Sequence, residues 1–327
     1  MMIPLSILEL GRVRQGSDRR TALDNARTLA QHAERLGFRR IWVAEHHNSP
    51  AVSTAATSVV VSHIAAATTT IRVGAGGVML PNHAPYVIAE HFGTLETLYP
   101  GRIDLGLGRA PGTDQATLRA LRRDPGDAEH FSQDVLELQS FLAPKSDTQR
   151  IEAVPGSGTN VPLWILGSSL FGAQLAAALG LPYAFGSQFS PQALHQALEV
   201  YRTHFQPSAQ LQKPYAMIGV NVIAAETDAE ARVLATSQQM TFADMFRGMP
   251  SLLKPPIDDI ESYRTPREKA QTEQILNCSI VGSAETVRNG LNQLVSDTKA
   301  DELLIVSDIF DLSKRVYSLE ITAQAAT

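Results

Sequence analysis

The sequence predicts a single α/β domain built as a (β/α)8 TIM barrel, and three observations carry that prediction. Eight short apolar segments of strand character alternate with segments of helical period. The early connections are only a few residues long, the compact rhythm of βαβ units in a parallel sheet. No interdomain linker divides the 327 residues, so one closed sheet accounts for residues 1–327 better than an open doubly wound sheet.

Residues 3–8 read as a first buried strand. Gly11 and Gly16 mark a polar loop, and Ser17 or Asp18 can cap the helix that follows. Ala22, Ala26, Leu29, Ala33 and Leu36 recur on one face of that helix, and Gly37 is placed to end it. Strand two, Ile41-Trp42-Val43, stops abruptly at Ala44-Glu45-His46-His47. Residues 53–67 have helical length, and 70–74 form strand three, which runs through Gly76-Gly77 to Leu80. A helix with Ile88, Phe92, Leu95 and Leu98 on one face follows the prolines at 81 and 85, and Pro100-Gly101 breaks it. Strand four is 102–107. Helical material then fills 114–142, interrupted at Asp124-Pro125-Gly126. A Pro/Gly/Ser-rich loop over 144–160 leads to strand five (162–166), a helix over 169–179 ended by Gly180, strand six (182–185), a helix over 191–205 and strand seven (215–223).

A helix over 227–239 precedes the one stretch without a sustained period, an irregular insert at about 241–274. A long insert in a tight α/β chain is more often a lid or binding loop than a domain. A helix from Ser283, strand eight (301–306) and a terminal helix complete the chain.

Composition narrows the function. Apolar residues make up 44% and charged residues 19%, enough for a sizeable core. The net charge of −5 offers no basic field for nucleic acid or an anionic membrane surface. One cysteine, Cys278, cannot form an intrachain disulfide and reads as a buried small hydrophobe. No targeting segment is visible, and no window approaches the roughly 20 apolar residues that span a bilayer. A cytoplasmic protein is the expectation.

The chemistry is expected at strand ends, where catalytic and ligand-binding groups gather in parallel α/β proteins. Glu45, His46 and His47 place three titratable groups together after strand two. Neighbouring residues on a strand point to opposite faces, so the three do not readily converge on one metal ion, and no metal is expected. His63 and His91 fall within helices and read as structural, while His83, in the loop after strand three, is within reach of a pocket. Gly106-Leu107-Gly108-Arg109-Ala110-Pro111-Gly112 has the wrong spacing and place for a Rossmann loop. It reads either as a glycine-rich strand exit or as a place where Arg109 meets an anion. Gly167-Ser168-Ser169 sits between strand five and a helix, where free N–H groups and serine hydroxyls suit a phosphate. The alternative is a serine that merely caps that helix. The paired Gly76-Gly77 would let a flat ligand lie against the main chain, or form a bulge with no ligand.

Taken in order, Ala44-Glu45-His46-His47, residues 73–81 (VGAGGVMLP), residues 99–109 (YPGRIDLGLGR), Leu166-Gly167-Ser168-Ser169, residues 179–182 (LGLP), Val281-Gly282-Ser283 and Ala300-Asp301-Glu302 resemble the bacterial luciferase-like flavin-dependent monooxygenases. The resemblance covers essentially the whole chain. It is nearest to the single-chain members of unassigned substrate. It implies a TIM barrel binding FMN at the carboxyl ends of the strands. Reduced FMN would come from a separate flavin reductase and react with O2 through a flavin hydroperoxide to oxygenate a small organic substrate. His46 matches the catalytic histidine, and Glu45 and His47 would support it. Gly76-Gly77 matches a site that often carries a non-prolyl cis peptide against the flavin. Ser168 and Ser169 match the phosphate loop and Arg109 a basic residue near it, so that Ala44, Gly167 and Leu170 would flank the cofactor.

Light-emitting members carry a cysteine where this chain has Gly108, so light emission is not carried over. The insert matches the family's mobile loop, whose Met245, Phe246 and Met249 could line the pocket or equally be ordinary loop packing. The resemblance also implies a homodimer formed through the helices after strands two and three. Two alternatives stay open: a deazaflavin-dependent oxidoreductase of the same superfamily, and a flavin-binding protein without turnover.

Overall fold

The computed structural model of the protein describes residues 3–110, 113–249 and 251–326. The Pro111-Gly112 end of the glycine-rich motif lies outside them. The chain begins with β1 (Leu5–Glu9), α1 (Arg19–Arg35), β2 (Arg40–Val43), α2 (Thr57–Ala65), β3 (Arg72–Met79), α3 (Pro85–Leu98) and β4 (Ile103–Gly108). Then come α4 (Gln115–Ala120), a 3₁₀ stretch (Pro125–His130), α5 (Phe131–Leu142), β5 (Leu163–Gly167), α6 (Leu170–Leu179), β6 (Tyr183–Phe185), α7 (Leu194–His204) and β7 (Ala216–Ala224). The last part holds α8 (Asp228–Phe246), α9 (Pro266–Ile275), β8 (Ser279–Gly282), α10 (Ala284–Thr298), β9 (Glu302–Val306) and α11 (Leu312–Ala325).

Strands β1 to β7 and β9 pair in parallel around a closed circle in the order β1-β2-β3-β4-β5-β6-β7-β9, and β9 returns to β1. This is the expected (β/α)8 barrel, its eighth strand being β9. Two elements differ from the sequence reading. β8 was not foreseen as a strand; it lies outside the barrel and pairs with the carboxyl half of β7. The insert is also more ordered than its sequence suggests. α8 continues to Phe246 because Met240, Ala243 and Asp244 are buried on its inner face. α9 begins at a Thr265–Glu268 capping box, which satisfies two otherwise free donors.

Side-chain alternation on the strands separates the two largest clusters of the core. Outward-facing strand residues pack with the helices into the main cluster, which includes Ile41, Val73, Leu105 and Ile165. Inward-facing Leu8, Trp42, Ala44, Trp164, Ala184, Met217, Leu304 and Val306 fill the barrel. The indoles of Trp42 and Trp164 meet edge to face with centroids 5.1 Å apart. Below them, at the amino ends of the strands, Arg40 donates to Glu302 at 2.8 Å and to Asp104 at 2.7 Å, all three within 3% of full burial. The Trp42 indole N–H and the Tyr215 hydroxyl complete this layer on Asp104 and Glu302. A buried ion pair of this kind adds little net stability, but removing one partner costs about 3–5 kcal/mol. It closes the stability face of the barrel and leaves the opposite end for chemistry.

Candidate active site

At the carboxyl end of the strands lies a cavity of about 820 Å3. The ends of the barrel strands form its floor and walls, and Thr241, Phe242 and Met245 of α8 bound it from the insert. Among the sequence-predicted residues, Ala44, His46, Gly76, Arg109, Gly167, Ser168 and Ser169 line it. Glu45, Gly77 and Leu170 are not among its described lining residues. Of the three insert residues expected there, Met245 lines the cavity, while Phe246 does not and Met249 is 60% exposed to solvent.

His46 follows β2 and faces this space. Burial, reinforced by the nearby Arg12 guanidinium, lowers its imidazole from the ordinary histidine range to about 4. At neutral pH it is therefore uncharged, able to accept a proton or share a hydrogen bond. Its Nδ1 is buried and has no hydrogen-bond partner among the described residues. Arg12, a residue the sequence reading passed over, is held in place by Asp308 through Nε at 3.1 Å and Nη2 at 3.0 Å.

Glu45 serves the other side of the same strand end. Its carboxylate is 1% exposed, and one oxygen, Oε1, accepts from His47 Nε2 at 2.9 Å and from His83 Nε2 at 2.8 Å. Burial raises its carboxyl; the two imidazole hydrogen bonds more than offset that and hold it below the usual carboxylate range. The alternation expected from sequence separates His46 from Glu45 and His47, but it also lets His83 complete a group not foreseen. The ligand atoms of Glu45, His47 and His83 lie within 4.8 Å of one another. That donor set could hold a divalent cation, although the hydrogen bonds through Oε1 already account for the geometry.

Gly76 and Gly77 are joined by a cis peptide bond. A Cβ on Gly76 would come within 2.8 Å of Leu8 Cδ1 and of Trp42, so no side chain fits beneath the backbone there.

The Gly167–Ser169 turn leads from β5 into α6. Ser169 occupies the N-cap position of α6, yet its side chain makes no capping hydrogen bond. The first turn of α6 therefore keeps free N–H groups, with the positive end of the helix dipole behind them. Phe171 in that turn supports Arg109, whose guanidinium carbon lies 4.1 Å from the ring centroid. An exposed cation, unengaged hydroxyls and a helix N-terminus thus share one end of the cavity. They fit the phosphate of a cofactor, and the bare backbone at Gly76 fits a flat ring.

Comparisons with known proteins bear on the family and the fold. The sequence model of the luciferase-like monooxygenase family matches residues 3–302. A luciferase-like monooxygenase of Escherichia coli (strain K12) is 49% identical over 320 residues, covering 98% of this chain and 96% of that one. The crystal structure of apo-MsnO8 superposes with a TM-score of 0.92 at 34% identity, covering 99% and 98% of the two chains. Two more distant structures share the fold. A type II Baeyer-Villiger monooxygenase component in complex with FMN has a TM-score of 0.71 at 17% identity, over 99% of this chain and 97% of that one. An F420-dependent secondary alcohol dehydrogenase has a TM-score of 0.74 at 15% identity over the full length of both.

Proposed function

The chain belongs to the luciferase-like monooxygenase family and is an oxygen-incorporating oxidoreductase; on that premise we propose that it uses reduced FMN and O2 to oxygenate a small organic substrate. The observation that carries this reading is the phosphate-binding character of one cavity end. Arg109 is braced on Phe171 beside a helix N-terminus whose serine hydroxyls cap nothing.

In this reading Arg109, Ser168, Ser169 and the first N–H groups of α6 bind the phosphate. The Gly76-Gly77 backbone receives the ring. Bound reduced flavin supplies two electrons and the capacity to activate O2. His46, neutral at pH 7, exchanges a proton with reacting groups through an imidazole nitrogen, and its buried Nδ1 is free for a partner. Glu45 fixes His47 and His83 behind it. The insert excludes bulk water, which protects reactive oxygen chemistry from hydrolysis and leakage. Asp244 holds that insert together. It accepts from Ser251 and Lys254, each at 2.5 Å, and from Tyr263 at 2.6 Å.

The reading places the enzyme in the cytoplasm with a separate flavin reductase. No helix among the described residues is long and apolar enough to cross a membrane. It also makes the enzyme a homodimer through α2 and α3, where Val59, Val87 and Leu98 are exposed.

A rapid-mixing experiment tests it. Protein preloaded with photoreduced FMN is mixed with oxygenated buffer. It should delay flavin oxidation relative to free reduced FMN, and a substrate screen by product mass should show addition of one oxygen atom. Parallel titration with F420 separates the deazaflavin alternative: tight F420 binding without FMN binding would replace FMN in this account.

A further inference from the structure

Across the barrel from His46 and Gly76, the cavity wall is made of amides. Gln188 follows β6 and Asn221 lies on β7, the strands opposite β2 and β3 in the closed circle. Gln238 of α8 joins them. The three are 7%, 1% and 2% exposed, and all line the cavity. Gln238 Nε2 donates to Asn221 Oδ1 at 2.9 Å. Asn221 Nδ2 donates to the main-chain oxygen of Gln188 at 2.7 Å and to Ser279 Oγ at 3.2 Å. Asn221 is thereby fully engaged and acts as a brace.

Gln188 is different. Its Oε1 is buried and has no hydrogen-bond partner among the described residues. The side chain lies over Gly219 of β7, where a Cβ would come within 1.7 Å of Oε1, so the glycine makes room for this amide. A buried carbonyl oxygen without a donor is costly, on the order of 1–3 kcal/mol. Oε1 is packed on Gly219 and closed off from the cavity, and a half-turn about the soft last torsion of the side chain presents it to a ligand N–H or O–H, which removes the cost. The hydrogen-bond partners of all three amides are neutral, so the wall offers nothing to compensate an ionic group.

We propose that Gln188 is a specificity-determining residue that accepts a hydrogen bond from the N–H of a neutral amide carried by an otherwise apolar substrate. Asn221 and Gln238 are positioning residues that hold the wall on which it sits. This inference names the substrate class of the flavin site and rests on that reading.

Two nearly isosteric probes test it, N-butylacetamide and butyl acetate, which differ by replacement of the N–H with an ether oxygen. Each is titrated calorimetrically into flavin-free protein and into protein saturated anaerobically with reduced FMN. Wild type should bind the amide about five- to ten-fold more tightly than the ester, the worth of one net hydrogen bond. Gln188→Leu should level the two affinities and leave the FMN dissociation constant unchanged. Gly219→Ala, which pushes the amide aside without removing it, should reduce the preference. Equal affinities in wild type, binding of neither probe, or a preference that survives both substitutions overturns the proposal. So does a Gln188→Leu variant that loses FMN affinity, because Gln188 would then serve the flavin. Failure of the flavin reading shows separately as no FMN binding, and leaves the comparison in flavin-free protein intact.

Discussion

Glu45 and His46 are adjacent in the chain and serve opposite sides of one strand end. His46 lines the cavity, while the buried Glu45 carboxylate gathers His47 and His83 on a single oxygen behind it. Strand alternation produces this division, and the proposed function gives proton exchange to His46 and support to Glu45.

Glu45→Gln tests the support. Losing the charge weakens two charge-assisted hydrogen bonds in a buried place, at a cost on the order of 1–3 kcal/mol. The melting temperature should fall measurably, while FMN affinity changes little. A fall in FMN affinity with no change in melting temperature would move Glu45 into the cofactor site.

His46 gives two readouts. With the substrate that the product screen yields, His46→Ala should lower kcat about 100-fold or more, with much less effect on FMN binding. The second is stability against pH. The folded-state imidazole titrates at about 4, below its unfolded value of 6.5. The unfolded chain therefore binds more protons between these values. The contribution of His46 to stability is complete above pH 6.5 and is lost as pH falls toward 4. Thermal melts from pH 7 to 4 should show a shallower decline for His46→Gln than for wild type. Parallel curves would contradict the buried, neutral histidine.

Asp244 gathers the insert. Ser251, Lys254, Tyr263 and, at 3.4 Å, Arg247 all bond to it. Burial raises its carboxyl, and the hydrogen bonds from Lys254, Ser251 and Tyr263 outweigh that and lower it. Asp244→Asn should loosen the segment and speed tryptic cleavage at Arg247 several-fold, since cleavage follows local opening. More reduced flavin should also be oxidised per product formed. An unchanged digestion rate would remove Asp244 from this role.

The dimer reading depends on apolar side chains that solvent should not favour. Val59 on α2 is 67% exposed and Leu98 on α3 is 60% exposed. The double variant Val59→Glu/Leu98→Glu should sediment as a single chain, and wild type as two. A monomeric wild type, or a dimer that tolerates both charges, would place the interface elsewhere.

The barrel was legible because its signal is local. Apolar runs such as Ile41–Val43 and Leu303–Val306 stop at turns and alternate with helical period. The turn proposed to hold the phosphate was legible for the same reason, since Gly167, Ser168 and Ser169 adjoin in sequence. What sequence did not show depends on contacts between distant residues. β8 is four residues long and exists through its pairing with β7. α8 runs past Gln239 although its apolar period fades, because Asp244 is held by residues of the following loop. His83 reaches Glu45, and Arg12 reaches Asp308, only once the barrel closes. The amides at 188, 221 and 238 left one signal: Asn221 is a polar residue at an inward position of an otherwise apolar strand, flanked by Val220 and Val222. Arg40, Asp104 and Glu302 carry the same signal at the other end of the barrel.

The central claim is that this cavity holds a flavin by its phosphate. The most direct measurement is an anaerobic equilibrium titration of the protein with reduced FMN and with reduced riboflavin, which differs by the phosphate. Charge-assisted hydrogen bonds are worth about 1.5–3 kcal/mol each. FMN should therefore bind at least about ten-fold more tightly than riboflavin, and Arg109→Ala should abolish most of the difference while leaving riboflavin affinity unchanged. Equal affinities for the two flavins, or no binding of either, would contradict the account.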